Sequence, residues 1–133
     1  MLAYLWIAAG GGIGAALRFW CSGVFARWLG PGFPWGTLFI NVTGCAFIGV
    51  FATLTEPGSR VFIPALARQF VMIGICGGFT TFSTFGLETL NLVREGEMGK
   101  AGWNALLSLG LCLAGVWLGH ICALHWNRLK GGA

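Results

Sequence analysis

From residue 35 to residue 55 the chain carries no charged side chain. At about 1.5 Å of rise per residue, a helix of that length crosses the roughly 30 Å hydrocarbon core of a bilayer. Lipid offers no partners for peptide groups, so a stretch of this kind must satisfy its own N–H and C=O groups and takes the helical form. Three further apolar runs accompany it. Residues 2–28 hold Arg18 and, near their end, Arg27. Residues 69–93 follow a turn at 56–60 and an interfacial lead-in with Pro64 and Arg68, and carry Glu88 as their only charge. Residues 101–127 are free of Lys, Arg, Asp and Glu. The expected fold is an all-α membrane protein, one integral membrane domain over 1–133 with four transmembrane helices at 2–28, 35–55, 69–93 and 101–127.

The remaining composition agrees with a bilayer and excludes other classes. With 56% hydrophobic and 9% charged residues, the chain does not suit a water-soluble fold. A net charge of +4 suggests nucleic acid in a soluble protein, yet the eight Lys and Arg residues are scattered along the chain and form no basic patch. We therefore expect no nucleic-acid partner and read these residues as span ends in contact with the lipid surface. The five cysteines, Cys21, Cys45, Cys76, Cys112 and Cys122, show no C-x-x-C spacing and lie in apolar segments, where free Cys behaves as a small hydrophobe. Leu2 onward is apolar with no basic region ahead of it, so the first run reads as a retained span. Residues 10–16 loosely match the opening of a dinucleotide site, but no strand precedes them and no suitable acidic residue follows about twenty positions on. Most tryptophans fall near span ends, as interfacial anchors do. Small-x-x-x-small spacings at Gly10/Gly14, Gly74/Gly78 and Gly115/Gly119 read as close helix-packing faces, within the chain or between copies.

Orientation is nearly undetermined. With four spans both termini share a side, and that side holds Arg60, Arg68, Arg128 and Lys130, against Arg27, Arg94 and Lys100 on the other. Four against three gives the positive-inside rule little to act on. Insertion in both orientations is expected, with two antiparallel copies forming an inverted-repeat homodimer without gene duplication.

The third span is unlike the others at its centre, where the helix is expected to be broken. Gly77 and Gly78 weaken it, Thr80, Thr81, Ser83 and Thr84 follow at once, and Phe82 and Phe85 fall three apart on one face. Strained or non-helical backbone is tolerated at membrane depth only inside protein or along a polar pathway. The other polar residues within spans are Arg18, Thr37, Asn41, Thr43, Glu88, Asn104, Ser108, His120 and His125. Donors outnumber acceptors in this set, because Glu88 is its single carboxylate, so a pathway built from it suits an anion. Aromatic rings carry a positive edge, which lets Phe82 and Phe85 contact a small anion in a narrow route. With no nucleophile–base pair and no metal-ligand cluster in the sequence, an enzyme is not expected.

Three ordered motifs then carry a resemblance across nearly the whole chain: Gly-Gly-Gly-Ile-Gly-Ala-Ala-Leu-Arg at 10–18, Pro-Trp-Gly-Thr-Leu-Phe-Ile-Asn at 34–41, and Gly-Gly-Phe-Thr-Thr-Phe-Ser-Thr-Phe at 77–85. The sequence resembles the Fluc (CrcB) family of bacterial fluoride channels. The resemblance implies an antiparallel dual-topology homodimer in the bacterial inner membrane that passes fluoride passively and protects the cell from it. It implies pores at the subunit interface lined by Asn41, Phe82 and Phe85, with Asn104 and Ser108 as fourth-span polar positions and Ser83 and Thr37 as further pore residues. It also implies a sodium ion at the dimer interface, held by the backbone carbonyls of Gly77 and Thr80 from each copy. Arg18 matches a family arginine and serves either an anion vestibule or the fold; Glu88 is expected to be hydrogen-bonded or off the route. Two rival functions remain open at this stage. A proton-coupled four-span exporter needs a carboxylate in the first span, where this chain has Arg18, and a membrane subunit without transport of its own needs none of these residues.

Overall fold

The computed structural model describes residues 1–56, 59 and 61–129. Pro57, Gly58 and Arg60 of the expected turn, and Lys130 of the charge count, lie outside the described residues. Among the described residues, four helical stretches are long and apolar enough to cross a bilayer: Leu2–Leu29, Trp35–Leu54, Ala65–Arg94 and Met98–Leu129. We label the elements α1 (Leu2–Leu29), α2 (Trp35–Leu54), α3 (Ala65–Gln69), α4 (Gly77–Phe79), α5 (Phe82–Arg94) and α6 (Met98–Leu129). Between α3 and α4, over Phe70–Cys76, the backbone widens into a π-helix. At Thr80 (φ −77°, ψ 157°) and Thr81 (φ −152°, ψ 112°) the dihedrals are extended. Gly77 and Gly78 themselves are helical, so the departure from helix falls on the hydroxyl residues that follow them.

Local chemistry sets the helix ends. Gly30 ends α1 with φ 71°, a left-handed value that glycine takes without a side-chain clash, and Pro31 follows. After α5, Gly96 at φ 79° receives the chain as the Gly96 N–H donates to the Val93 carbonyl and the Glu97 N–H reaches back to Leu92. This pair of bonds closes the last turn as a Schellman motif and lets α6 begin two residues after the glycine. The third span starts at Ala65 instead of near Gln69, because Pro64 sits immediately before the first helical residue, where its missing N–H costs nothing.

The packing is inside-out relative to a soluble protein. Large apolar side chains such as Phe19, Trp28, Leu106 and Trp117 face outward, whereas the buried positions are mostly Gly, Thr, Asn, Ser and Ala. Ile40 and Asn104 are the largest fully buried side chains. Lipid tails are as apolar as leucine, so helices associate in a bilayer by close backbone approach and polar contacts. The glycine stripes supply that approach within the chain. A methyl added at Gly10 would sit 2.6 Å from the Phe70 carbonyl oxygen, and one at Gly14 would collide with the Ile75 carbonyl and the Phe79 amide. Gly78 meets Gly11 in the same seam, which joins α1 to the π-helical turn and α4. On the other side, Gly115 and Gly119 of α6 lie on Val42 and Ala46 of α2, and Gly49 lies on Val116. The stripes thus find their partners inside one copy.

This seam can be tested with two neighbouring glycines. Gly14→Ala forces a methyl into backbone atoms and is expected to lower stability by about 1–3 kcal/mol. Gly12→Ala meets nothing within 4 Å and is expected to leave stability unchanged or slightly raised. Thermal unfolding of the two variants in detergent reads the difference; equal melting temperatures would contradict the packing.

Candidate functional site

The Asn41 side chain acts here as a second peptide group. Its Oδ1 accepts the Thr81 N–H at 2.7 Å, and its Nδ2 donates to the Thr81 carbonyl at 3.0 Å. An extended residue inside a membrane span has no water and no helix neighbour for these groups, and a carboxamide offers one donor and one acceptor at the right spacing. Asn41 is buried on α2 and holds Thr81 from forty residues away in sequence. The second N–H of the same nitrogen is left for another acceptor. Thr81 then starts α5 as its N-cap: its Oγ1 accepts the Thr84 N–H at 3.2 Å and donates to Thr84 Oγ1 at 2.9 Å.

These bonds have a consequence for two carbonyls. In an uninterrupted α-helix the Thr81 N–H closes on Gly77 and the Thr84 N–H closes on Thr80. Both donors are directed elsewhere, to Asn41 and to Thr81 Oγ1. The ψ of 157° also turns the Thr80 carbonyl away from the row of helical carbonyls before it. Gly77 and Thr80 therefore present oxygens whose usual helical donors are engaged by side chains.

A cleft of about 530 Å³ opens beside this segment. Its walls include Asn41, Gly77, Thr80, Phe82, Phe85 and Ser108, and are otherwise largely apolar. The rings of Phe82 and Phe85 lie 5.2 Å apart between centroids, tilted by 46°. Phe82 is 83% exposed in the single chain, an unusual position for a large ring placed at the start of a helix. Thr37, Ser83, Asn104 and Arg18 lie off the cleft wall. Ser83 is exposed, with its hydroxyl 3.4 Å from Thr81 Oγ1. Arg18 is half-buried on α1.

Behind the cleft a second polar layer ties three spans together. Thr37 Oγ1 donates to Glu88 Oε1 at 2.8 Å, linking α2 to α5. Asn104 Nδ2 donates to Thr89 Oγ1 at 2.9 Å, linking α6 to α5, and Ser108 Oγ lies 3.5 Å from Asn104 Oδ1. Sequence reading passed over Thr89. Its signal is its place four residues after Phe85, whose carbonyl its hydroxyl caps at 2.7 Å. His120, one of the polar residues within the fourth span, meets Thr53 through Nδ1 at 2.7 Å. Glu88 is hydrogen-bonded through one oxygen only; its Oε2 is buried without a partner among the described residues. Removing the Thr37 donor leaves both carboxyl oxygens bare, so Thr37→Val, close in shape, is expected to cost about 1–3 kcal/mol. Chemical or thermal unfolding checks this, and an unchanged midpoint would show that the Thr37–Glu88 bond contributes nothing net.

The model of the family described as "CrcB-like protein, Camphor Resistance (CrcB)" matches residues 5–120. The chain belongs to the CrcB family. The match spans Asn41, the Thr80–Thr81 segment, both phenylalanines and Ser108. A protein of Opitutus terrae named "Fluoride-specific ion channel FluC" is 56% identical over 131 residues, covering 98% of this chain and 99% of the relative. A protein of the same name from Rhodospirillum rubrum is 55% identical over 127 residues, covering 96% and 98%. A third, from Methylocella silvestris, is 54% identical over 128 residues, again with 96% and 98% covered. Family membership and the four long apolar helices make this a multi-pass membrane protein.

Proposed function

We propose that this protein is a fluoride-selective ion channel of the bacterial inner membrane, which lets fluoride leave the cell down its electrochemical gradient and so protects against it. The observation that carries this reading is the 56% identity, over nearly the full length of both chains, to a protein named "Fluoride-specific ion channel FluC". The relatives are named as ion channels, and passage of an ion needs no covalent step, so the protein is not an enzyme.

The geometry supports the reading through what fluoride requires. A small, strongly hydrated anion enters a narrow route only if protein donors replace its water, each weakly enough to release it again. Along the cleft those donors are the second Asn41 N–H and the positive edges of Phe82 and Phe85, joined by the Ser108 hydroxyl when it gives up its long 3.5 Å contact to Asn104 Oδ1. The exposed Ser83 hydroxyl serves the same route beside Phe82. Thr37 and Asn104 act from behind it, Thr37 by holding Glu88 and Asn104 by setting Thr89 and Ser108. Arg18 raises the anion concentration at a mouth of the route or anchors α1.

A cleft on one chain is not a closed route, and we infer that a second copy in antiparallel orientation completes it. The near balance of positive charge between the two membrane sides favours insertion both ways. The extended residues at Thr80 and Thr81 then form the break of the third helix at the two-fold contact. The Gly77 and Thr80 carbonyls fit a hard cation, since their helical donors are engaged elsewhere and such ions take oxygen ligands. A sodium ion held by these oxygens from both copies supplies the positive charge that lets the carbonyls face one another.

Liposomes loaded with fluoride and containing the purified protein test the function. Rapid passive efflux is expected. Efflux that requires a proton gradient would instead identify an exchanger, and no efflux a subunit without transport of its own.

A further inference from the structure

Two cysteines continue the polar rows of the cleft by one helical turn. Cys45 stands four residues beyond Asn41 on α2, and Cys112 stands four beyond Ser108 on α6. Both are free and half-buried, and both line the cleft. The helices that carry them are drawn together by glycine: a methyl at Gly119 would collide with the Ala46 carbonyl, and one at Gly49 with Val116. Cys45 and Cys112 therefore face one cleft from two helices in close contact. We propose that Cys45 and Cys112 form a two-coordinate site for mercuric ion on the cleft wall, and that filling it blocks passage of the transported anion.

Ligand number and charge select this ion. Zinc completes a tetrahedral set of N, S or O ligands. The described residues hold no group of three or more His, Cys, Asp and Glu able to bind a metal, so Cys76, although on the same cleft, does not add a third ligand. A soft ion satisfied by two thiolates in line is what the pair can hold. Mercuric chloride is neutral and reaches an apolar wall without the cost of moving a bare charge out of water. Each S–H bond breaks, its proton leaves with a displaced chloride, and each sulfur keeps the electron pair that forms the Hg–S bond. One mercuric chloride and two thiols thus yield one mercury bis(thiolate) and two molecules of hydrogen chloride, with no change of oxidation state. The product is neutral and suits its low-dielectric surroundings, whereas a monovalent soft ion between two thiolates would leave a net negative charge there. A metal atom one turn from Asn41 and Ser108 narrows the route they border; this second half of the proposal rests on the fluoride reading above.

The test uses the full-length protein with Cys21, Cys76 and Cys122 replaced by Ala, reconstituted in liposomes and treated with mercuric chloride, then washed with a monothiol to strip singly bound metal. Intact mass is expected to show one mercury gained and two hydrogens lost per chain, and fluoride efflux to fall at least tenfold relative to the untreated protein. Dithiothreitol is expected to restore both. Adding Cys45→Ala, Cys45→Ser or Cys112→Ala is expected to abolish retention through the wash, with size-exclusion elution confirming the fold. Retention that survives these substitutions, or none in the parent, would overturn the site. Mercury retained by the pair with efflux unchanged would leave the site standing and overturn its place on the fluoride route.

Discussion

Replacing Phe82 with Ile is expected to slow fluoride efflux about tenfold, and replacing Phe82 and Phe85 together about a hundredfold. Isoleucine keeps the apolar bulk but lacks the ring quadrupole, so the anion loses the positive edge that offsets part of its lost hydration. If the anion–edge contact matches the upper end of what an edge-to-face pair of aromatic rings contributes, about 1.4 kcal/mol, its loss from the barrier is a factor of ten in rate. The two rings are 5.2 Å apart and tilted, so one ion passing the cleft can meet both. Phe82 is so exposed in the single chain that its replacement removes little packing there, and a change in flux reports on the route more than on the fold. A fluoride electrode outside loaded liposomes measures the rate per protein. Unchanged flux in the double variant would remove the rings from the pathway.

Asn41→Ala is expected to cost both stability and flux. The substitution leaves the Thr81 N–H and carbonyl without partners at membrane depth, each worth about 1–3 kcal/mol when buried and unsatisfied. The extended pair at Thr80 and Thr81 then loses what holds it, and with it the N-cap of α5 and the positions of Phe82 and Phe85. Asn41→Asp separates this clamp from the contact with the ion. Aspartate still accepts the Thr81 N–H, so part of the stability stays, while its charge opposes an anion and the flux is expected to vanish. Thermal unfolding and efflux of both variants give the comparison. Equal melting temperatures for the unsubstituted protein and the alanine variant would show that the clamp carries no stability, and full flux in the aspartate variant would place the route elsewhere.

Several features were legible in the sequence for plain physical reasons. An uncharged run long enough to cross a bilayer has one stable form in lipid, so α2 could be read almost residue for residue. Gly30 and Gly96 stand where the chain needs a left-handed turn, and both close helices. The third and fourth spans begin earlier than hydropathy suggests, at Ala65 and Met98, because helix can extend past the apolar core into a polar interface, where Arg68 donates to Thr55 Oγ1 and Lys100 pairs with Glu97.

The identity of each partner was not legible. Helical spacing says which residues share a face, but not what that face meets. The sequence by itself determined that this chain crosses a membrane four times, that its small residues form stripes, and that the middle of its third span departs from an ordinary lipid-facing helix. Only the tertiary structure decided that the stripes pair within the chain, that Asn41 holds Thr81 across forty positions and that Thr37 meets Glu88 across fifty-one. The physical reason is common to these cases. Backbone and polar groups inside a bilayer must find partners within the protein, and which groups come within hydrogen-bonding distance is set by how the helices cross.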